Sequence, residues 1–259
     1  MSMAIPCPGG PSDLGSATPS DPSSDNEAAC RAPVQALGAV CFERTQRHVR
    51  VELPGLWRAC GSTPLRGGLV LTRRVVILNV ESHGPDGDVD MPSPETTLEG
   101  YCRRRRWSGP SMGMMTAASM QSCRTAQRGH EGMAVFVVLT AGLTNARRAG
   151  DKADPGLTGI ATIPPGTINI VAVTNANLAD AAMVEAIMVM TEAKAAVLQR
   201  RAVMSPVSGL VATGTGTDSI ALVCGEGPRV RWCGKHVVPG ELFARAVMDA
   251  LDASLEWYG

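Results

Sequence analysis

The stretch GTINIVAVTNANLADAAMVEAIMVMTEAKAAVLQR, residues 166–200, decides the fold. Its first part, TINIVAVT at 167–174, is a β-branched run that reads as a strand. Its second part predicts a long helix over about 178–200, with Asn177 as N-cap and Asp180 three residues later. Ala181, Met183, Val184, Ile187, Met188, Met190 and Val197 cover most directions of that helix, whereas Glu185, Glu192 and Gln199 share one narrow stripe. The helix is therefore expected to be mostly buried.

Working outward, AVFVVLT at 134–140 is apolar at both side-chain parities, which predicts a central strand covered on both faces. SIALVC at 219–224 reads as a strand, RVRWC at 229–233 as its short partner, and Pro239 opens a last helix to about Leu255. Upstream, GAVCFER at 38–44 and HVRVELP at 48–54 alternate apolar with polar and predict a hairpin. GGLVLTRRVVILNVES at 67–82 predicts a strand ending near Asn79, followed by a loop from Gly84 to Pro94. PETTLEGYCRRRRW and GMMTAASMQSC, the latter at 113–123, predict two further helices.

Several neighbouring strands are joined too closely for parallel crossovers, so the pattern predicts an α+β fold: one mixed sheet with helices packed against it. A single main domain is expected over 34–259, preceded by a disordered tail over 1–33 that is rich in Pro, Ser and Gly. With 24 basic and 24 acidic residues, the chain offers no global attraction to nucleic acid or an anionic membrane. Eight cysteines without CxxC spacing, and no secretory leader or long apolar segment, predict a cytoplasmic protein without a zinc site or a disulfide framework.

The chemistry-bearing residues gather in polar runs beside apolar strands. GTGTDS at 214–219 has the small residues that let amides converge on an anion, although it lacks the spacing of a Walker loop and reads equally as a tight turn. Asp218 sits at its mouth beside Thr215 and Thr217. His236, next to Lys235 and ahead of a helix beginning PGE, is the best general acid–base candidate, with Glu241 in reach to hold it. Asn145, Asp151, Asn169 and Asn175 lie near strand ends, where they can orient an amide-bearing ligand. Glu192 is a base candidate if its stripe is buried. Arg103 to Arg106 can contact phosphate or nucleic acid, but a solvated helix end is the stronger reading.

TAGLTNARRAGD at 140–151, GTINIVAVTNANL at 166–178, TEAKAAVLQ of the long helix, ATGTGTDS at 212–219 and GKHVVPGELFARAV at 234–247 together resemble the adenosylcobinamide amidohydrolase family, also called CbiZ. The likeness runs from about Leu53 to Val247, with fainter echoes in the glycine pair at 67–68, Asn79 and GMMTAAS at 113–119. It implies hydrolysis of the amide joining aminopropanol to the corrinoid of adenosylcobinamide, giving adenosylcobyric acid, in salvage of B12 precursors. Cobalt then arrives inside the substrate, and neither a protein-held metal nor a further cofactor is expected.

The resemblance does not by itself assign the mechanism; amide hydrolysis needs an activated nucleophile, oxyanion donors and a proton for the amine. On those grounds Asp218 or Glu192 is expected to activate water, Gly214 to Thr217 to hold the oxyanion, His236 to protonate the departing amine and Lys235 to stabilise negative charge. Asn145, Asp151, Asn169, Asn175, Gly214, Thr215, Thr217 and Glu241 are the expected substrate contacts. An internal Thr exposed by self-cleavage is an alternative nucleophile. A corrinoid-binding protein without turnover and a phosphate-binding enzyme using the GTGT turn are the competing functions. The leader and the arginine run depart from the family pattern.

Overall fold

A computed structural model describes residues 30–33, 37–80, 92–154 and 166–258. Most of the tail and of the loop after Asn79 lies outside them. Cys30–Pro33 (β1), at the end of the expected tail, pairs antiparallel with Cys41–Arg44 (β2). His48–Gly61 (β3) then pairs with β2 along its first half and with Gly68–Asn79 (β4) along its length. Its register slips between Glu52 and Trp57, where Pro54 and Gly55 interrupt the ladder.

Pro94–Arg104 (α1) begins at a Ser93 cap with proline in its first turn, as its sequence predicts. The next segment corrects the sequence reading: GMMTAAS is not helical but contributes to Ser111–Thr116 (β5), parallel to β4. Met112 and Met114 bury one face, while Gly113 is tight against Leu98 and Leu65, so both faces are covered and the period-2 signature vanishes. Arg124–His130 (β6), polar and alternately exposed, forms an edge beside Met133–Ala141 (β7).

Ala146–Arg147 (β8), Ile168–Thr174 (β9) and Asn177–Leu178 (β10) follow, then the long helix Asp180–Arg200 (α2). Asn177 does not cap it: Ala179 holds the N-cap position and Asn177 belongs to β10. Gly214–Thr215 (β11), Ser219–Cys224 (β12), Arg229–Val230 (β13) and Val238–Leu255 (α3) complete the chain. β13 partners β10 rather than β12.

Among the described residues the main sheet has nine strands, with the order β1-β2-β3-β12-β9-β7-β6 and β4 and β5 joined through β3. It is mixed, since β12–β9 and β4–β5 run parallel and the other pairs antiparallel. One core lies between the sheet and α2 with α3; a second is enclosed where β2 to β5 fold over β7, β9 and β12. Val184 and Met188 of α2 are exposed, so that helix is less enclosed than its composition suggests. Among the described residues, no helix is long and apolar enough to cross a membrane.

Candidate functional site

Because β9 and β12 run parallel, their N-terminal ends lie side by side. Asp218, just before β12, accepts from four donors: the Ile168 amide and the Thr215 amide, each at 3.0 Å, the Thr215 hydroxyl and the Lys194 ammonium. A carboxylate offers about four lone-pair positions, so these four donors match its capacity and tie β9, the turn and α2 to one side chain. Lys194 comes from α2, and the two ion-paired side chains are only 8% and 13% exposed.

The glycines of the GTGTDS turn are required by these contacts. A Cβ on Gly214 would collide with Asp218 Oδ2 and lie 2.7 Å from Lys194 Nζ, and one on Gly216 would lie 2.6 Å from Asn145 Nδ2. Two of the turn's donors are consumed internally: the Gly216 amide donates to the Asn145 carbonyl at 3.0 Å and the Thr217 hydroxyl to the Gly166 carbonyl at 3.1 Å. The Gly216 amide is therefore taken up within the fold, and the turn shapes the site through its close contacts with Asn145, Lys194 and Asp218.

Free donors lie deeper. Asn145 is 2% exposed and its Nδ2 has no partner among the described residues. Thr140, Asn169 and Ser219 form a buried row across β7, β9 and β12, in which Thr140 Oγ1 and Ser219 Oγ likewise lack partners. Asn169 Nδ2 donates to the Met115 carbonyl at 2.8 Å. Thr167, buried at the start of β9, donates from Oγ1 to the Thr217 carbonyl at 2.9 Å and lies 3.5 Å from Asn169 Oδ1.

The structure thus brings Asn145, Asn169, Gly214, Thr215, Thr217 and Asp218 together, and adds Lys194 and Thr167. Lys194 had a sequence signal: it occupies the same helical stripe as Met190 and Val197, where a lysine needs a partner. The remaining candidates lie elsewhere. Glu192 and Lys235 form an ion pair, 52% and 66% exposed, on the outer side of α2. His236 is exposed on the turn before α3, and no hydrogen bond or ion pair among the described residues joins it to the Asp218 group. Glu241 binds Arg245 at 2.7 Å beside an open cleft that Lys235 also lines.

Asn175 sits at the far end of β9, where it accepts from the Ala134 amide at 2.9 Å and donates to the Gly132 carbonyl at 2.8 Å. Asp151 closes its own turn: hydrogen bonds from Ser205, Ser208 and the Arg148 amide hold its carboxyl below the ordinary 3.8. Burial pushes the Cys224 and Cys233 thiols up to about 12, which keeps both protonated and poorly nucleophilic.

A family model described as adenosylcobinamide amidohydrolase matches residues 36–258. The chain belongs to that family. Family relatives named adenosylcobinamide amidohydrolase come from Halobacterium salinarum, 28% identical over 83% of this chain and 87% of that protein, and from Methanosarcina mazei, 28% identical over 65% and 78%. An uncharacterised Methanocaldococcus jannaschii protein is 45% identical, but over only 35% of this chain and 36% of its own length. Among solved structures, a Pyrococcus horikoshii protein (TM-score 0.41, 12% identity, 83% and 78% covered) and a Burkholderia β-aminopeptidase (0.40, 14%, 82% and 79%) are similar. Neither likeness is close enough to speak for fold or activity.

Proposed function

We propose that this amidohydrolase-family chain cleaves the aminopropanol amide of adenosylcobinamide, giving adenosylcobyric acid and free aminopropanol for corrinoid salvage, at the Lys194–Asp218 group. The observation that carries this reading is the buried, unpartnered Nδ2 of Asn145. An orphaned buried donor costs roughly 1–3 kcal/mol, and a substrate carbonyl oxygen is an acceptor that would relieve it. As the carbonyl becomes tetrahedral, its oxygen gains charge and the same donor binds it more tightly. Lys194 supplies positive charge nearby, and Asp218 holds both Lys194 and the backbone at the start of β9 in place.

Thr167 is the nucleophile of this scheme: its hydroxyl is anchored toward the Thr217 carbonyl, leaving its lone pairs for attack. Attack forms an acyl-enzyme and releases aminopropanol, which takes up the hydroxyl proton; water then frees the acid. His236 and Glu192 have no part in it. The scheme draws on side chains alone, with cobalt entering as part of the substrate, so a chelator leaves turnover unchanged.

Asn145→Ala tests the reading because its two effects should have opposite signs. Turnover of adenosylcobinamide should decrease by about 10²–10³-fold, as for loss of an oxyanion donor, while thermal stability holds or rises. Wild-type turnover in that variant would remove the basis of the scheme.

A processed form is the alternative reading of the same threonine. Gly166 packs so closely that a Cβ there would lie 2.7 Å from the Asn145 amide nitrogen and 2.8 Å from Thr144 Oγ1. Cleavage of the Gly166–Thr167 bond would expose a threonine whose own amine serves as base. Mass spectrometry of active protein distinguishes the forms: one intact polypeptide excludes processing, and two fragments meeting at that bond establish it.

A further inference from the structure

The arginine run at the end of α1, which the amide chemistry leaves unused, lines a cleft of about 510 Å³ with Arg66. The cleft lies well away from the Asn169 end of the sheet: Ser111 on its wall and Met115, whose carbonyl binds Asn169, are about 13 Å apart along β5 at ~3.3 Å per residue. We propose that this cleft binds a phosphate group of a small anionic ligand through Arg66, Arg103 and Arg106.

Charge supports the assignment first. The chain as a whole is balanced, with 24 basic and 24 acidic residues, yet the cleft carries three arginines against Glu99. Neighbouring arginines are neutralised: Arg74 binds Glu52 through two hydrogen bonds, and Arg50 pairs with Glu43. Among the described residues, no carboxylate pairs with Arg66, Arg103 or Arg106. Three residues lining this one concavity carry guanidinium groups, whose fixed fork geometry suits phosphate oxygens.

Backbone geometry points the same way. Arg106 follows the C-cap of α1 with φ 55°, while its amide donates to the Arg103 carbonyl at 2.9 Å and the Trp107 amide to the Cys102 carbonyl at 3.1 Å. This is the Schellman arrangement, whose left-handed position favours glycine. Arg66 is left-handed too, at φ 53°, and lines the same cleft immediately before Gly67. The chain thus spends a side chain at two positions where the backbone alone prefers none.

Trp107, at the cleft margin, narrows the ligand class. Its ring already faces the guanidinium groups of Arg50 at 4.8 Å, Arg105 at 5.8 Å and Arg74 at 6.0 Å, and it contacts His48 edge-on at 5.2 Å. The indole is a fixed wall and not an open platform for a nucleobase, so recognition centres on the phosphate.

Inorganic phosphate is the probe, titrated into the full chain against chloride at matched ionic strength and followed by calorimetry and thermal shift. Saturable binding is expected, weakened roughly tenfold by Arg106→Gly through loss of one charge-assisted contact, although that variant relieves the backbone and should melt no lower. Arg103→Ala should weaken binding likewise, and Arg104→Ala, on the same turn but outside the lining, should not. Absence of saturation in the wild type overturns the site, as does equal weakening by Arg104→Ala, which would reduce it to net charge. Binding of a single-stranded oligonucleotide through these arginines without binding of phosphate overturns the small-ligand class. None of these readouts depends on amide hydrolysis.

Discussion

Two lysine–carboxylate pairs meet α2 two residues apart and face different solvents. Lys194 reaches Asp218 under the sheet ends, with side chains 8% and 13% exposed; Glu192 reaches Lys235 on the outer surface, at 52% and 66%. Sequence reading named both groups, Asp218 at the inner one and Glu192, Lys235 and His236 at the outer. Their environments differ. The outer pair is hydrated and screened, whereas the inner pair fixes three backbone segments through Ile168, Thr215 and α2.

The sharpest way to break this contrast is Lys194→Met, which leaves a buried carboxylate without its cation. Loss of about 3–5 kcal/mol is expected, read from urea unfolding, together with loss of turnover. A loss below about 1 kcal/mol, the range of surface pairs, would make the two pairs equivalent and end the distinction. Gly214→Ala should follow at roughly 1–3 kcal/mol, since the added methyl meets both members of the inner pair. Full stability in that variant would show that the turn yields easily.

The elements that were legible in the sequence are those whose local signals agree with their surroundings. β7, β9 and β12 are uninterrupted apolar runs, and α1 and α3 carry proline in the first turn. β5 was misread because Met and Ala favour helix, and only contacts distant in sequence, with Leu98 and Leu65, impose the strand. β6 was missed because RTAQRGH is an edge strand whose pairing comes from β7 alone.

The candidate site was half legible for a related reason. Its asparagines and the GTGTDS turn announce themselves by composition, whereas Lys194 is a single charge within a helix and Thr167 one hydroxyl before a strand. Their placement beside Asp218 and Asn169 arises from strand order, which no local pattern encodes.

On the outer surface, Glu192→Gln and Lys235→Met should each cost under about 1 kcal/mol, an effect that fades further at high salt. His236→Ala should retain near-normal adenosylcobinamide turnover. A large decrease in turnover with the fold intact would restore His236 to the chemistry and require the turn before α3 to approach the substrate.

The smallest effect belongs to Asp151, a carboxylate held by serine hydroxyls in a half-exposed turn, without an ammonium partner. Its folded pKa is depressed below 3.8 by hydrogen bonds from Ser205 and Ser208, so below that value the unfolded chain takes up more protons than the folded one. The stability it contributes is therefore complete above the ordinary carboxylate value and is lost as pH decreases through the folded one. Asp151→Asn should flatten only this acid limb in pH-dependent unfolding and leave the profile above pH 3.8 unchanged in shape. A variant whose profile changes near neutrality instead would tie Asp151 to the buried group, because the turn on its own has no titration there.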